Sequence, residues 1–330
     1  MANYNTSLDH LKASVDSILN QTIHDIEFII VDDHSTDESI EYLKGLTDSR
    51  IRVIENKINL GLTKSLNIAI REATGEYIAR MDSDDISERS RLEKQVEYLE
   101  NNNDVDFVCS WFRHFDGDKA VYKKTIPNTS LFRCYLLLGN SYIAHPSVMF
   151  RTSFLVNNNL LYDENIKKSQ DYDMWIRCTD IGNVATVPEI LLNYRIHPSQ
   201  ITKANGTEQN KYVDIIRKRQ LEKLKIYPTD EEMQIHSECF NGTHITSKHI
   251  TWLNKLLKQN EAYKIYDRDS FKKMISRACI KFALRTFISN KVDIFQIIKI
   301  LPPTVYFGFV FESTKAIIGK ITHDRIDAFI

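Results

Sequence analysis

Apolar residues recur at helical spacing over residues 8–20, at Leu8, Leu11, Val15, Ile18 and Leu19. The run Phe28-Ile29-Ile30-Val31 follows, with the length and continuity of a strand buried on both faces. It stops at Asp32-Asp33-His34-Ser35-Thr36-Asp37-Glu38, a polar turn whose side chains suit the start of a helix over 37–45. Arg52-Val53-Ile54 reads as a strand, Asn59-Leu60-Gly61-Leu62 as a turn, and 63–73 as a helix ending before Gly75. Tyr77, Ile78, Ala79 and Met81 make the next strand, and a helix follows around 88–101. This alternation predicts an α/β fold with a doubly wound, mainly parallel sheet. Further on, 105–112 and 147–150 read as strands and 131–139 and 170–180 as helices. From about 208 the pattern is almost all helical: 209–225, 247–259, 269–288 and 291–300. Pro302-Pro303 then precedes an aromatic stretch, 305–311. We therefore expect a domain over 1–205 and a helical accessory region over 206–330.

A chain of 330 residues, 42% hydrophobic and 26% charged, can bury a sizeable core. The net charge of −1 conceals an asymmetry. Residues 1–200 hold 21 Lys and Arg against 30 Asp and Glu, a balance of −9; residues 201–330 hold 22 against 14, a balance of +8. The five cysteines are scattered with no metal-binding spacing, which suits a reducing, cytoplasmic setting. No apolar run is long enough to span a bilayer, and no nucleic-acid partner is expected.

The chemistry concentrates at Asp82-Ser83-Asp84-Asp85, where a strand runs into carboxylates. In an extended chain Asp82 and Asp84 face one space while Ser83 and Asp85 face another. Two carboxylates aimed at one point repel unless a positive charge lies between them. A hard divalent cation that also grips phosphate oxygens would serve; a solvated acidic turn capping the helix near Ser87 is the plainer alternative. Asp32-Asp33 also stands at a strand's carboxyl end, where ligands of such sheets bind.

Taken together, Tyr4-Asn5, 17–22 (Ser-Ile-Leu-Asn-Gln-Thr), 31–37 (Val-Asp-Asp-His-Ser-Thr-Asp), Gly75-Glu76-Tyr77-Ile78 and 81–85 (Met-Asp-Ser-Asp-Asp) resemble glycosyltransferase family 2. The resemblance covers roughly residues 1–200. It implies the GT-A fold and an inverting transfer from a nucleotide-sugar, a UDP-sugar, to a hydroxyl of a glycan or lipid-linked saccharide in surface polysaccharide synthesis. It also implies roles. Asp33 would accept the uracil N3 hydrogen, with helix capping as its structural alternative. Tyr4 would stack near the base, and Lys64 would lie near the nucleotide. Asp84 would ligate Mn²⁺ or Mg²⁺, with Asp82 touching the ribose or a metal-bound water, Ser83 beside the donor and Asp85 supporting its neighbours. His197 would reach the diphosphate or metal. Asp171, opening a helix after Gln170, would be the general base, with Asp173 as fallback. His145 and Trp175 are candidates for the acceptor side, against structural roles for both.

Two features depart from the pattern. The family has Gly where His34 stands. The apolar strand that precedes the Tyr-Asn pair is cut to Met1-Ala2-Asn3, so the first strand is expected to be truncated. An inactive partner in a polysaccharide-assembly complex is the alternative function that follows. A sugar-nucleotide pyrophosphorylase is disfavoured because its Gly-rich loop is absent, and a nicotinamide dehydrogenase because no GxGxxG occurs. The 305–311 stretch would either pack as a lid or rest peripherally on the inner, anionic face of the cytoplasmic membrane. The lid placement expects the protein to remain in the supernatant when anionic vesicles are sedimented at low salt; co-sedimentation would establish the membrane placement.

Overall fold

The structure, a computed structural model, describes the backbone of residues 1–290 except 117, 118, 124, 127, 141, 198–205 and 242–245. It describes their side chains except at 206, 207, 240, 241 and 281–290. The expected helix 291–300 and the 305–311 stretch lie outside the described residues. The chain divides into two compact units. One comprises Met1–Thr129 and Asn140–Val213; the other comprises Ser130–Gly139 and residues from Asp214 onward.

The first unit begins with β1 (Ala2–Asn3), α1 (Leu8–Leu19), β2 (Phe28–Asp32), α2 (Glu38–Lys44), β3 (Ile51–Glu55), α3 (Leu62–Glu72) and β4 (Tyr77–Ala79). It continues with β5 (Ile86–Ser87), α4 (Arg91–Asn101), β6 (Phe107–Phe115) and β7 (Val121–Tyr122). After α5 (Thr129–Leu136), which belongs mostly to the second unit, come a 3₁₀ turn at His145–Ser147, β8 (Met149–Arg151) and α6 (Thr152–Asn157). α7 (Gln170–Ile181) and β9 (Val184–Arg195) complete it. Strands β1, β2 and β3 pair in parallel, as the strand–helix alternation requires. The rest of the sheet is mixed: β6 and β9 are parallel, whereas β4–β8, β6–β8, β6–β7 and β5–β9 are antiparallel. The mainly parallel expectation thus describes the nucleus of the sheet and not its far side. The strand 184–195 escaped the sequence pattern because Pro188-Glu189 interrupts its apolar run.

The first strand is short rather than missing. Ala2 and Asn3 lie beside Val31 and Asp32, and the Val31 and Asp33 N–H groups donate to the carbonyls of Met1 (2.9 Å) and Asn3 (2.8 Å). Met1 is buried with Leu11, Val15, Ile18, Ile30 and Met81, so α1 and β2 close over this corner. A parallel bridge between Ala2 and Asp82 joins the two halves of the sheet, beside the point where strand order turns from β1 toward β3 on one side and β4 on the other. Such a reversal opens a crevice at the strands' carboxyl ends.

The second unit contains α8 (Gly206–Lys223, its first residues lying in the first unit), α9 (Asp230–Asn241), α10 (Ser247–Tyr263) and α11 (Arg268–Asn290). Its core joins Leu131, Leu137, Leu221, Trp252, Leu256 and Phe271. Two carbonyls just past the end of α5 are met by side chains. Arg217 donates to Leu138 O (2.7 Å), and His236 Nε2 donates to Leu137 O (2.9 Å). That bond leaves His236 Nδ1 to accept from Trp252 Nε1 (3.0 Å), and burial with the Arg217 charge pushes the imidazole down to about 3. His236 is therefore a neutral structural residue.

His34 and Gly61 both carry positive φ beside the crevice. His34 has φ +66°, which explains why the family pattern has Gly there. Gly61, at the start of α3, has φ +87° and ψ 157°, a region essentially closed to other residues. A Cβ there would meet nothing within 4 Å, so its requirement is purely conformational. Gly61→Ala is expected to cost about 1–3 kcal/mol in urea unfolding, whereas His34→Gly should be neutral or stabilising by up to about 1 kcal/mol.

Candidate active site

The carboxylates sit where β4 ends. Beyond Ala79 the chain passes Arg80 and Met81 to the bridge at Asp82, then turns at Ser83–Asp84. That turn breaks the strict alternation expected of 82–85. Asp85 therefore swings toward Asp82 and Asp84, and oxygens of all three lie within 4.8 Å of one another. Ser83 takes no part in this cluster: its hydroxyl is hydrogen-bonded to Thr6 Oγ1 (2.7 Å), while Ser14 Oγ donates to the Asp82 carbonyl (2.8 Å). These two bonds fasten the turn to α1 and the segment before it.

Positive charge holds the cluster from beneath. The buried Arg80 guanidinium is ion-paired with Asp82. Arg91, 0% exposed, donates to the Arg80 carbonyl (2.7 Å) and to Gln95 Oε1 (3.0 Å). Burial, reinforced by the Arg80 charge, brings it down to about 9. Asp84 Oδ2 meets His197 Nε2 at 2.8 Å. The His10 ring lies 5.7 Å from that of His197. Arg195 donates from its backbone to Asp85 Oδ1 (2.8 Å) and from Nε to the Asp84 carbonyl (2.7 Å), and its guanidinium reaches Asp116. Asp85 Oδ2 is buried without a hydrogen-bond partner among the described residues. Burial, then the charges of Asp82 and Asp84, push the Asp85 carboxyl well above its ordinary range. Three crowded carboxylates with one orphaned oxygen form a hard-oxygen donor set that a divalent cation fits.

Just past the carboxyl end of β2, Asp33 is buried and heavily engaged. Its carboxylate accepts from Leu60 N (2.8 Å), Gly61 N (2.7 Å) and Asn56 Nδ2 (2.8 Å), so it anchors the loop leading into α3. It does not cap α2; Asp37 does, accepting from Ser39 N (3.1 Å). Tyr4 is 52% exposed, and Lys64 is exposed on the first turn of α3.

The opposite wall is the start of α7. Ser169 precedes it in the left-handed region (φ +57°), which sets the direction from which Gln170 and Asp171 emerge. Asp171 is half-buried and accepts from Asn140 Nδ2 (3.2 Å). Burial raises its carboxyl above the usual range, tempered by the Tyr172 N–H and the Arg80 charge. Asp173, the fallback, is bound to Arg177 Nε (2.8 Å) one turn along the same helix. His145 shares a hydrogen bond with Tyr162 OH (2.7 Å); burial and then Arg80 push it far below its ordinary value, so it is neutral. Trp175 corrects the reading of it as a sugar platform. It is 0% exposed and stacked with Phe107 (5.9 Å) and Phe150 (6.0 Å), with the His145 ring edge-on to it. An indole one turn after Asp171 has the spacing for either role; only the packing decides. Arg80, Arg195 and Asn140 had drawn no attention in the sequence, although Arg80 stands two residues before Asp82.

Comparison with known proteins gives a consistent result. Residues 1–157 match the family profile described as glycosyl transferase family 2. An uncharacterized glycosyltransferase of Methanocaldococcus jannaschii is 40% identical over 204 residues, covering 59% of this chain and 69% of that protein. The O-antigen biosynthesis glycosyltransferase WbnJ of Escherichia coli is 34% identical over 202 residues, covering 59% of this chain and 78% of that one. Among solved structures, S. aureus TarS 1-349 in complex with UDP-GlcNAc superposes with a TM-score of 0.59 at 16% identity, over 90% of this chain and 87% of that one. The α/β fold is thus the GT-A fold.

A raised carboxyl value has a consequence for stability. Asp171 favours the folded state only while protonated, so its contribution is complete below about pH 4 and is lost as pH rises through the raised folded value. The melting temperature of Asp171→Asn minus that of wild type should therefore grow between pH 4.5 and 7.5. Parallel melts across that range check it; a constant or shrinking difference contradicts the burial of this charge.

Proposed function

Because the chain belongs to glycosyltransferase family 2, we propose that it transfers a sugar from a UDP-sugar, with inversion, to a hydroxyl of a glycan or lipid-linked saccharide in building a surface polysaccharide. The observation that carries this reading is the pairing of the Asp82–Asp84–Asp85 cluster with Asp171, whose carboxyl feels the charges of Arg80 and Asp82. Two comparisons support the finer points: TarS was crystallised with UDP-GlcNAc, and WbnJ is named for O-antigen biosynthesis.

Asp84 and Asp85, with Asp82 and His197 beside them, would hold a Mn²⁺ or Mg²⁺ ion, which supplies charge stabilisation to the departing diphosphate. The protein's own residues do the rest. Tyr4, exposed beside the crevice, offers its ring to the base, and Asp33 shapes the loop that borders the nucleotide. Lys64 adds a positive charge on that side. Arg80, buried and ion-paired with Asp82, favours the ionised form of that carboxylate against the desolvation that opposes it. Asp171 takes the proton from the acceptor hydroxyl as that oxygen attacks the anomeric carbon from the face opposite the diphosphate. A hydroxyl with a pKa far above 7 needs such a base within hydrogen-bond reach, and a carboxyl raised by burial is better matched to the task than a solvated one. His145, neutral and tied to Tyr162, lines the acceptor side as a hydrogen-bonding group and carries no charge.

Among the described residues no helix is long and apolar enough to cross a membrane. UDP release from a panel of UDP-sugars with Mn²⁺ and saccharide acceptors tests the reading. Wild type should turn over at least one donor, Asp84→Asn and Asp171→Asn should each lose about 10²–10⁴-fold, and EDTA should abolish release reversibly. Equal UDP release from wild type and both variants would sink the proposal.

A further inference from the structure

Asp171 does not stand alone. The carboxamide of Asn140, after the end of α5, places Nδ2 3.2 Å from Asp171 Oδ2. An ionised carboxylate accepts only from the NH₂ end of an amide, and the Asn140 amide stands with that end toward Asp171. The other end, Oδ1, is then directed away from Asp171, and it is buried with no hydrogen-bond partner among the described residues. A buried carbonyl left unpaired is costly and calls for an explanation. The groups around Asp171 do not provide one. Arg80 and Asp82 bear on it electrostatically from the end of β4, and Tyr162 from the segment before α7. Tyr162 OH is already engaged with His145. A polyhydroxylated substrate entering beside Asp171 would bring the missing donor.

We propose that Asn140 is a positioning residue for Asp171 whose Nδ2 orients and stabilises the carboxylate, while its Oδ1 accepts a hydrogen bond from a hydroxyl of the saccharide acceptor. The inference rests on Asp171 being the general base. The amide thereby couples the two requirements of transfer. The oxygen that reads the acceptor and the nitrogen that aims the base belong to one planar group, so an acceptor seated on Oδ1 meets a carboxylate already in register. No bond to Asn140 forms or breaks; the acceptor proton passes to Asp171 and the acceptor oxygen bonds to the sugar as the diphosphate leaves.

The test uses the full chain and two readouts. In a ¹³C-carboxyl NMR titration, with Asp171→Asn to assign the resonance, Asn140→Ala should raise the Asp171 pKa by about half to one unit through loss of a donor to the ionised form. Asn140→Asp should raise it further, because a like charge replaces that donor. In transfer assays with the donor and acceptor found by UDP release, Asn140→Ala should lower kcat about 10–100-fold. The acidic limb of its kcat/KM profile should move up by the same shift, with the acceptor KM raised and the donor KM within about twofold. An Asp171 resonance that titrates as in wild type in a folded Asn140→Ala protein overturns the proposal. An unchanged acceptor KM overturns the role of Oδ1, which then holds water only. Retained turnover in Asp171→Asn would instead defeat the assignment of the base, and the titration would still decide whether Asn140 holds that carboxylate.

Discussion

A buried guanidinium beneath a cluster of carboxylates is the constraint on which the rest of this site depends. Arg80 lies one residue past β4, out of solvent, against Asp82, and its charge is felt by Asp85, His145, Tyr162 and Asp171. Removing either member of such a pair strands a charge in a poor solvent, which costs several kcal/mol, about 3–5 in measured cases. The pair is therefore weak evidence for net stability but a firm constraint on geometry. Arg91, fully buried and bonded to the Arg80 carbonyl, braces the same segment from α4.

That arrangement sets the division of labour among the acids. Asp82 is held by a cation of the protein itself. Asp84 is shared with His197, and Asp85 keeps one oxygen without a partner among the described residues. Asp171 accepts from the Asn140 amide and the Tyr172 N–H and is raised by burial. Carboxylates of one chemical type thus acquire distinct roles from their surroundings, and each role carries some cost in stability. The strained Ser169 and the glycine-only backbone at Gly61 fit the same trade: both lie where a loop must deliver groups to the crevice.

Most of the first unit's architecture was legible from the chain. The apolar run of β2, the helical spacing of α1 and the capping turn after Asp32 are local patterns, and local patterns survive into the fold. The second half was less legible. β5 and β7 are two residues each, β9 is interrupted at Pro188, and antiparallel pairing between strands distant in sequence leaves no periodic trace. Segment 130–139 joins the helices of the second unit although the chain is far from them in sequence. Apolar spacing says that a face must be buried and is silent on which element covers it.

For the site itself the same boundary applies. The order and type of the acids, Asp82, Asp84 and Asp171 above all, are legible in the sequence, where they stand after a strand and at the start of a helix. Trp175 as core rather than platform, Asp85 inside the cluster rather than behind it, and Asp33 bound to the loop before α3 were decided only by the tertiary structure. Each depends on what lies across space: a stack of Phe107 and Phe150, a turn at Ser83–Asp84, the N–H groups of Leu60 and Gly61. The sequence by itself determined which charges and hydrogen-bonding groups are present. Packing determined which of them are desolvated and which are paired, and the energy of a charge follows from that.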